Sequence, residues 1–283
     1  MRKSIYPKPF KINNMFQEIL IAMDDSQLVK NAMRYTANAF PDSRYHILNV
    51  IDTSEESIPY TDIIMEDLRK ASKRASKDGV DILKEMGVEI ARKAVREGTP
   101  GEEIIGYSNE NDIDLIVVGT QSKQGIQIFE IGDTCMYTLE HSSIPVLVFD
   151  AIVDIKRPEK ILHPTSETHR SLEAGYLAIK LVKHFDGSLK VLSLRGGHET
   201  QWAHKKLLEF ADKNHIKYKI RSCAVKPHEE IIREAKKSDL IVGSLARPGL
   251  KYELRKIYPP FAVGELEREV IIEARKPILF ETG

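Results

Sequence analysis

Short apolar runs alternate with helical stripes along the whole chain. Glu18-Ile19-Leu20-Ile21-Ala22-Met23 stops at Asp24-Asp25-Ser26, and a run bounded by turn and cap residues reads as a strand buried on both faces. Ser26 or Asp25 can cap the next helix, on which Val29, Met33, Thr36 and Phe40 form one stripe. Tyr45–Ile51 is the next strand. A long helix then carries Ile64, Leu68, Ala71, Ala75 and Ile82 on one face and stops at Gly87. A strand over Val88–Val95, the turn Glu97-Gly98-Thr99-Pro100 and a helix opened by Gly101-Glu102-Glu103 follow. Proline and acids in that first turn suit the missing donors and the helix dipole. Asp114–Gly119 is a further buried strand, followed by a glycine-containing loop, a helix from about Asp133 and a last strand over Pro145–Phe149. Strands that alternate with helices must pair in parallel, so this half is a doubly wound α/β domain.

The second half repeats the plan. Ile19-Leu20 recurs as Ile161-Leu162 at an offset of 142, and Asp114–Val117 as Asp239–Val242 at an offset of 125. Gly132 recurs as Gly264, and Pro145-Val146-Leu147 as Pro277-Ile278-Leu279, both at an offset of 132. The copy is therefore shorter between its first and fourth strands and longer after the fourth. Two unrelated α/β domains sharing short apolar motifs are the bland alternative. The expected organisation is a flexible arm at 1–14, a domain at 15–150, a linker at 151–160 interrupted by charge and Pro158, and a degenerate domain at 161–283.

Composition narrows the function. Lys+Arg and Asp+Glu both number 42, giving a net charge of zero, which argues against nucleic-acid binding through a broad basic field. Hydrophobic residues make up 42% and charged ones 30%, so the chain is expected to fold. Its apolar runs are far shorter than the roughly 18 residues a membrane span needs. The start is basic but lacks the apolar region of a secretory signal. Cys135 and Cys223 lie far apart with no CxxC pairing, which suits a reducing cytoplasm.

In an open parallel sheet, ligands lie beyond the carboxyl ends of the strands where strand order reverses. That brings together Ala22-Met23-Asp24, Val50-Ile51, and the segment from Gly119 to Gly132 with the helix start after it. Loop glycines let the backbone approach a phosphate, and a helix start offers unpaired N–H groups. Asp24 can accept from a ribose hydroxyl or a base, or can serve as a helix cap; Gly119 can equally be a tight strand exit.

The order AMDDS after the first strand, EGTP before the third helix, DLIVVGT, a glycine-spaced loop and EHSSIPVLVF resembles the universal stress protein family. The resemblance covers 16–149 clearly and 159–283 as a second copy. It implies an α/β fold of two doubly wound, parallel, five-stranded sheets in tandem, of the adenine-nucleotide α-hydrolase-like kind, which binds AMP or ATP and dimerises by pairing last strands. The site it implies comprises Ala22, Met23, Asp24, Val50, Val118, Gly119, Ser122, Gly132, Asp133 and Thr134. The family's loop reads Gly, two residues, Gly, nine residues, Gly, then Ser or Thr. Here Ser122 stands at the second glycine and Asp133 at the hydroxyl. A carboxylate at that helix start can accept the N–H bonds a phosphate would receive, and it repels phosphate. Lys123 and Lys93 could offset part of the repulsion.

The second copy departs further, with Ser166 in place of Asp24 and Glu265 after Gly264. A long loop over 244–263 contains Pro248, Pro259 and Pro260. A blocked or repurposed pocket is expected there. Arg247, Lys251, Arg255 and Lys256 with Tyr252 and Tyr258 could grip an anion or form a solvated surface loop. His198-Glu199 lacks the second zincin histidine, because position 202 is Trp202. Gly196-Gly197 reads as a strand exit, and His141 as a packing or cap residue. With no acid–base pair to nominate, the expectation is a non-enzymatic stress-response module with an AMP or ATP site in the first half, at most weakly hydrolytic. A nucleotide-free scaffold is the alternative. Intrachain pairing of Pro145–Phe149 with Pro277–Glu281 would mimic the family dimer, and two chains could associate further as a homodimer.

Overall fold

The computed structural model describes residues 15–54, 60–120, 131–166, 168–194, 201–223, 225–245 and 263–282. The first half runs β1 (Glu18–Ala22), α1 (Gln27–Ala39), β2 (Arg44–Asp52), α2 (Asp62–Glu85), β3 (Glu89–Gly98), α3 (Pro100–Glu110), β4 (Leu115–Gly119), α4 (Asp133–His141) and β5 (Val146–Phe149). The second runs β6 (Lys160–Thr165), α5 (His169–Phe185), β7 (Ser188–Ser193), α6 (Gln201–Lys213), β8 (Tyr218–Ser222), α7 (Pro227–Ala235), β9 (Leu240–Ser244), α8 (Glu265–Ala274) and β10 (Ile278–Glu281). The two sets of five parallel strands join into one ten-stranded sheet, ordered β3-β2-β1-β4-β5-β10-β9-β6-β7-β8. At its centre β5 and β10 run antiparallel, with Leu279 opposite Leu147.

The strands follow from burial. In β1 and β4 the middle residues are buried on both faces, as a central parallel strand requires. The third strand continues past Val95 to Gly98 and alternates charge with partly covered residues. It lies at the sheet edge, where charge hinders pairing with foreign strands; the same charge hid its length in the sequence. Ser26, not Asp25, caps α1 by accepting from the Val29 N–H at 3.1 Å.

The repeat has a physical basis in Asp114 and Asp239. The Asp114 carboxylate accepts from the backbone N–H groups of Gln17 and Glu18 at 2.8 and 3.0 Å. Asp239 accepts in the same way from Glu159 and Lys160. Each acid thus ties the entry of its half's first strand to the fourth. Elsewhere the copies have traded polar groups. His46, beside Leu20 in register, contacts Tyr107 Oη and Glu18 Oε2 at 2.9 Å each. Lys190, beside Leu162, instead binds the buried Glu234, which Arg221 also reaches at 3.2 Å. A buried carboxylate needs such partners.

The halves also share a core. Phe40 stacks on His184 with ring centroids 5.4 Å apart and meets Phe185 at 5.6 Å. His184 Nε2 donates to the Ala39 carbonyl. The connecting segment is strapped to α1 by Asn31, whose carboxamide both donates to and accepts from the Val153 backbone at 2.9 Å.

Candidate functional site

Strand order reverses beside β1, since β2 and β3 lie on one side of it and β4 and β5 on the other. The carboxyl ends of β2, β1 and β4 therefore adjoin. Met23 is buried and its N–H donates to the Leu48 carbonyl at 2.8 Å, extending the β1–β2 contact one residue past the strand. Ala22 and Asp24 are half-buried. Asp24 is neither free nor the helix cap: Oδ1 accepts the Ser26 N–H at 2.8 Å and holds the turn that presents Ser26 to α1. Its second oxygen has no partner among the described residues.

A cavity of about 290 Å³ opens at the end of β2. Asn49, Val50 and Ile51 form one wall, and Ile64, Leu68 and Ala75 of α2 form the other. Asp25, Asp52 and Tyr60 stand around it. The Tyr60 hydroxyl donates to the Asp52 carbonyl at 3.1 Å, joining the start of the α2 segment to the strand end. Val50 and Ile51 are the members of this wall anticipated in the sequence. Asn49 was missed, although a carboxamide inside the run HILNVI was a usable signal. The hydrophobic α2 residues were recognised as a helix face, but nothing in their spacing says they stop short of filling the space beneath.

On the β4 side, Val118 is buried in the core below the site. Gly119 has a packing reason: a Cβ there would lie 3.1 Å from Val29 Cγ2 and 3.2 Å from Leu28 Cδ2 of α1. Close approach of α1 to β4 therefore favours glycine here, because a larger residue would have to push the Val29 and Leu28 side chains aside. Thr120, also missed, is the clamp. Its N–H donates to the Phe149 carbonyl at 2.9 Å, its hydroxyl to Asp150 Oδ1 at 2.6 Å, and its carbonyl accepts the Gly132 N–H at 2.8 Å. Asp150 is half-buried, and burial pushes its pKa up despite the bond from Thr120.

Gly132 is the extended N-cap of α4 and Asp133 the first helical residue. The expectation that Asp133 caps its own helix is corrected: its side chain is exposed and bonds no N–H group among the described residues. Position N1 points away from the helix end, whereas a side chain folds back onto it from the cap or from N3. Thr134 is half-buried, and its carbonyl accepts from Thr138 Oγ1. Lys93 cannot neutralise Asp133. It is exposed on β3, three strands from β4, or about 14 Å at the usual strand spacing. Ser122 and Lys123 lie outside the described residues.

In the second half the helix start is closed, by a residue other than the expected Glu265. Glu265 is exposed like Asp133. Glu267, at N3 of α8, is half-buried against the N-cap; burial pushes its pKa up, while the nearby N–H groups of its own residue and of Gly264 pull it the other way. A Cβ at Gly264 would lie 2.5 Å from Glu267 Oε2, so glycine makes room for this contact. The spacing from Gly264 to Glu267 is that of a capping box and was readable in the sequence. The matching residue after Gly132 is Cys135, which is buried, so among the described residues no side chain caps the α4 start.

His141 has the structural role expected of it, with Nδ1 donating to the Tyr137 carbonyl at 2.9 Å and its ring stacked on Tyr137 at 3.8 Å. No cluster of three metal-capable side chains occurs among the described residues. No helix among them is long and apolar enough to cross a membrane. His198-Glu199, Gly196-Gly197 and the Arg247–Tyr258 cluster lie outside them.

Comparison with known proteins follows the same outline. The family model "Universal stress protein family" matches residues 15–150. Universal stress protein MJ0531 of Methanocaldococcus jannaschii is 28% identical over 153 residues, which cover 52% of this chain and 86% of that one. Among solved structures, a universal stress protein from Archaeoglobus fulgidus superposes with a TM-score of 0.75 at 17% identity, covering 93% of this chain and 97% of that one. A Pseudomonas aeruginosa protein described as a putative universal stress protein gives 0.61 at 16% identity, covering 95% and 94%. At these identities the two structures speak for the fold, and they do so along both halves. Residues 15–150 belong to the universal stress protein family, and the second half repeats the same fold in tandem.

Proposed function

We propose that the first half binds an adenine nucleotide, AMP or ATP, and that the protein acts as a regulatory module inside the cell rather than as a catalyst. One observation carries this: the 290 Å³ cavity at the end of β2 and the uncapped N-terminus of α4 lie on opposite sides of Asp24. Two strand spacings, about 10 Å, separate β2 from β4, and α2 and α4 pack on opposite faces of the sheet, so a nucleotide with its base in the cavity passes over the strand ends to bring its phosphate to the helix start. The unused oxygen of Asp24 then meets the ribose between them. The histidines near the sheet, His46 and His141, are held in structural contacts, which favours binding over catalysis. In the second half Glu267 takes the place of a phosphate at α8, so we assign it no nucleotide.

Asp133 sets the preference among nucleotides. Like charges about 4 Å apart cost about 1 kcal/mol in water and several times that when half-buried, so the γ-phosphate of ATP suffers more than the single phosphate of AMP. Calorimetric titration of Asp133→Ser should show ATP affinity raised on the order of five- to tenfold, with AMP changed less. Flat AMP and ATP titrations of the unaltered protein up to millimolar concentration would remove the nucleotide and leave the tandem fold as a scaffold for protein partners.

A further inference from the structure

We propose that Asn49 is the specificity residue of the first-half site and that it selects a purine carrying its amino group at C6 over a 6-oxopurine. This rests on the nucleotide assignment made above and goes beyond it, because nothing about the helix start or Asp24 distinguishes one purine from another. Asn49 is 4% exposed. Its Nδ2 donates to the Met23 carbonyl at 2.7 Å. Met23 is itself pinned through its N–H to Leu48, so the carboxamide is held at one end by backbone that cannot move. A carbonyl can only accept, so the nitrogen must face Met23 and the oxygen must face away. Among the described residues no group donates to that oxygen, and Asn49 belongs to the cavity wall.

The rest of the wall explains what the oxygen is for. Ile51, Leu68 and Ala75 are apolar, and the nearby Ser72 hydroxyl is buried without a partner. An amide oxygen with its orientation fixed in such a wall loses its access to water when the cavity fills, and then goes unsatisfied unless the occupant brings an N–H donor. A flat, largely apolar heterocycle with an amino group meets that demand. A 6-oxopurine instead sets its carbonyl oxygen against the Asn49 oxygen, acceptor against acceptor. The second half lacks the device: by register, Ser193 occupies the place of Asn49 and carries no carboxamide.

Competitive titration of AMP, IMP and the ribonucleotide of unsubstituted purine tests this directly. For the unaltered protein AMP should bind about ten- to a hundredfold more tightly than either of the others, the range expected when a buried acceptor loses its donor. Asn49→Ser should lower AMP affinity and bring the three ligands within about threefold of one another. If AMP and IMP bind the unaltered protein equally, or if Asn49→Ser retains the preference, Asn49 does not select the base, while nucleotide binding itself stands. If none of the three binds, the nucleotide assignment falls and this proposal falls with it. Should Asn49→Ser fail to fold, the three-ligand series on the unaltered protein decides.

Discussion

Acidification from pH 6.5 to about 4 removes about 3 kcal/mol of folding stability through one side chain, His163. This histidine lies in β6, fully buried, where the first half has Ile21 at the same offset as the Ile19/Ile161 pair. Its Nδ1 donates to the Val242 carbonyl at 2.9 Å, and its Nε2 has no hydrogen-bond partner among the described residues. Burial depresses its pKa from 6.5 to about 4, so the folded state holds the ring neutral while the unfolded chain protonates it. The contribution is fully present above pH 6.5 and is lost as pH falls towards 4. The displacement, at about 1.4 kcal/mol per pH unit, gives the figure above. Urea unfolding at pH 7 and pH 4.5 should show a drop for the unaltered protein that is clearly smaller in His163→Ile. Parallel losses in the two proteins would place the acid sensitivity elsewhere.

Leu279→Ala should cost about 2–5 kcal/mol, the range for truncating a buried leucine in a core that cannot collapse around the gap. Leu279 is 2% exposed and lies in the seam opposite Leu147. With Tyr35, Phe40 and Phe185 it surrounds a small void between the halves. Only three residue pairs join β5 to β10, so side-chain packing must hold the halves as much as backbone bonding does. Unfolding followed by circular dichroism should therefore show a single transition in the unaltered protein and an earlier or divided one in the variant. An unchanged midpoint would mean that the aromatic cluster of Phe40, His184 and Phe185 holds the halves together without the seam.

The sequence and the structure agree most closely where a single rule governs a stretch of chain. Apolar runs marked the central strands to within a residue or two, because both faces of β1 and β4 are buried. Gly132 marked the start of α4. The edge strand β3 was read too short because charge, which protects an exposed edge, also masks the strand pattern. At the candidate site, single residues were placed well and their roles less well. Asp24 and Asp133 were both weighed as caps, yet Ser26 caps α1 and Asp133 faces solvent. Asn49 and Thr120 were passed over, although each is polar where the surrounding pattern calls for an apolar residue, and so was Glu267, although its spacing from Gly264 is that of a capping box.

The sequence by itself determined the class of fold, the duplication and the family, because hydrophobic periodicity and motif order act along the chain and are written there. The family resemblance anticipated the pairing of Pro145–Phe149 with Pro277–Glu281, which the structure bears out, but periodicity alone could not give it, since β5 and β10 join residues more than a hundred positions apart. Only the tertiary structure decided which helix start is covered by a side chain and which, among the described residues, is not. That difference turns on whether residue N3 folds back as Glu267 does or is buried as Cys135 is. It alone revealed the cavity, because empty space between α2 and β2 depends on how far apart the two elements settle, and no single residue encodes that distance.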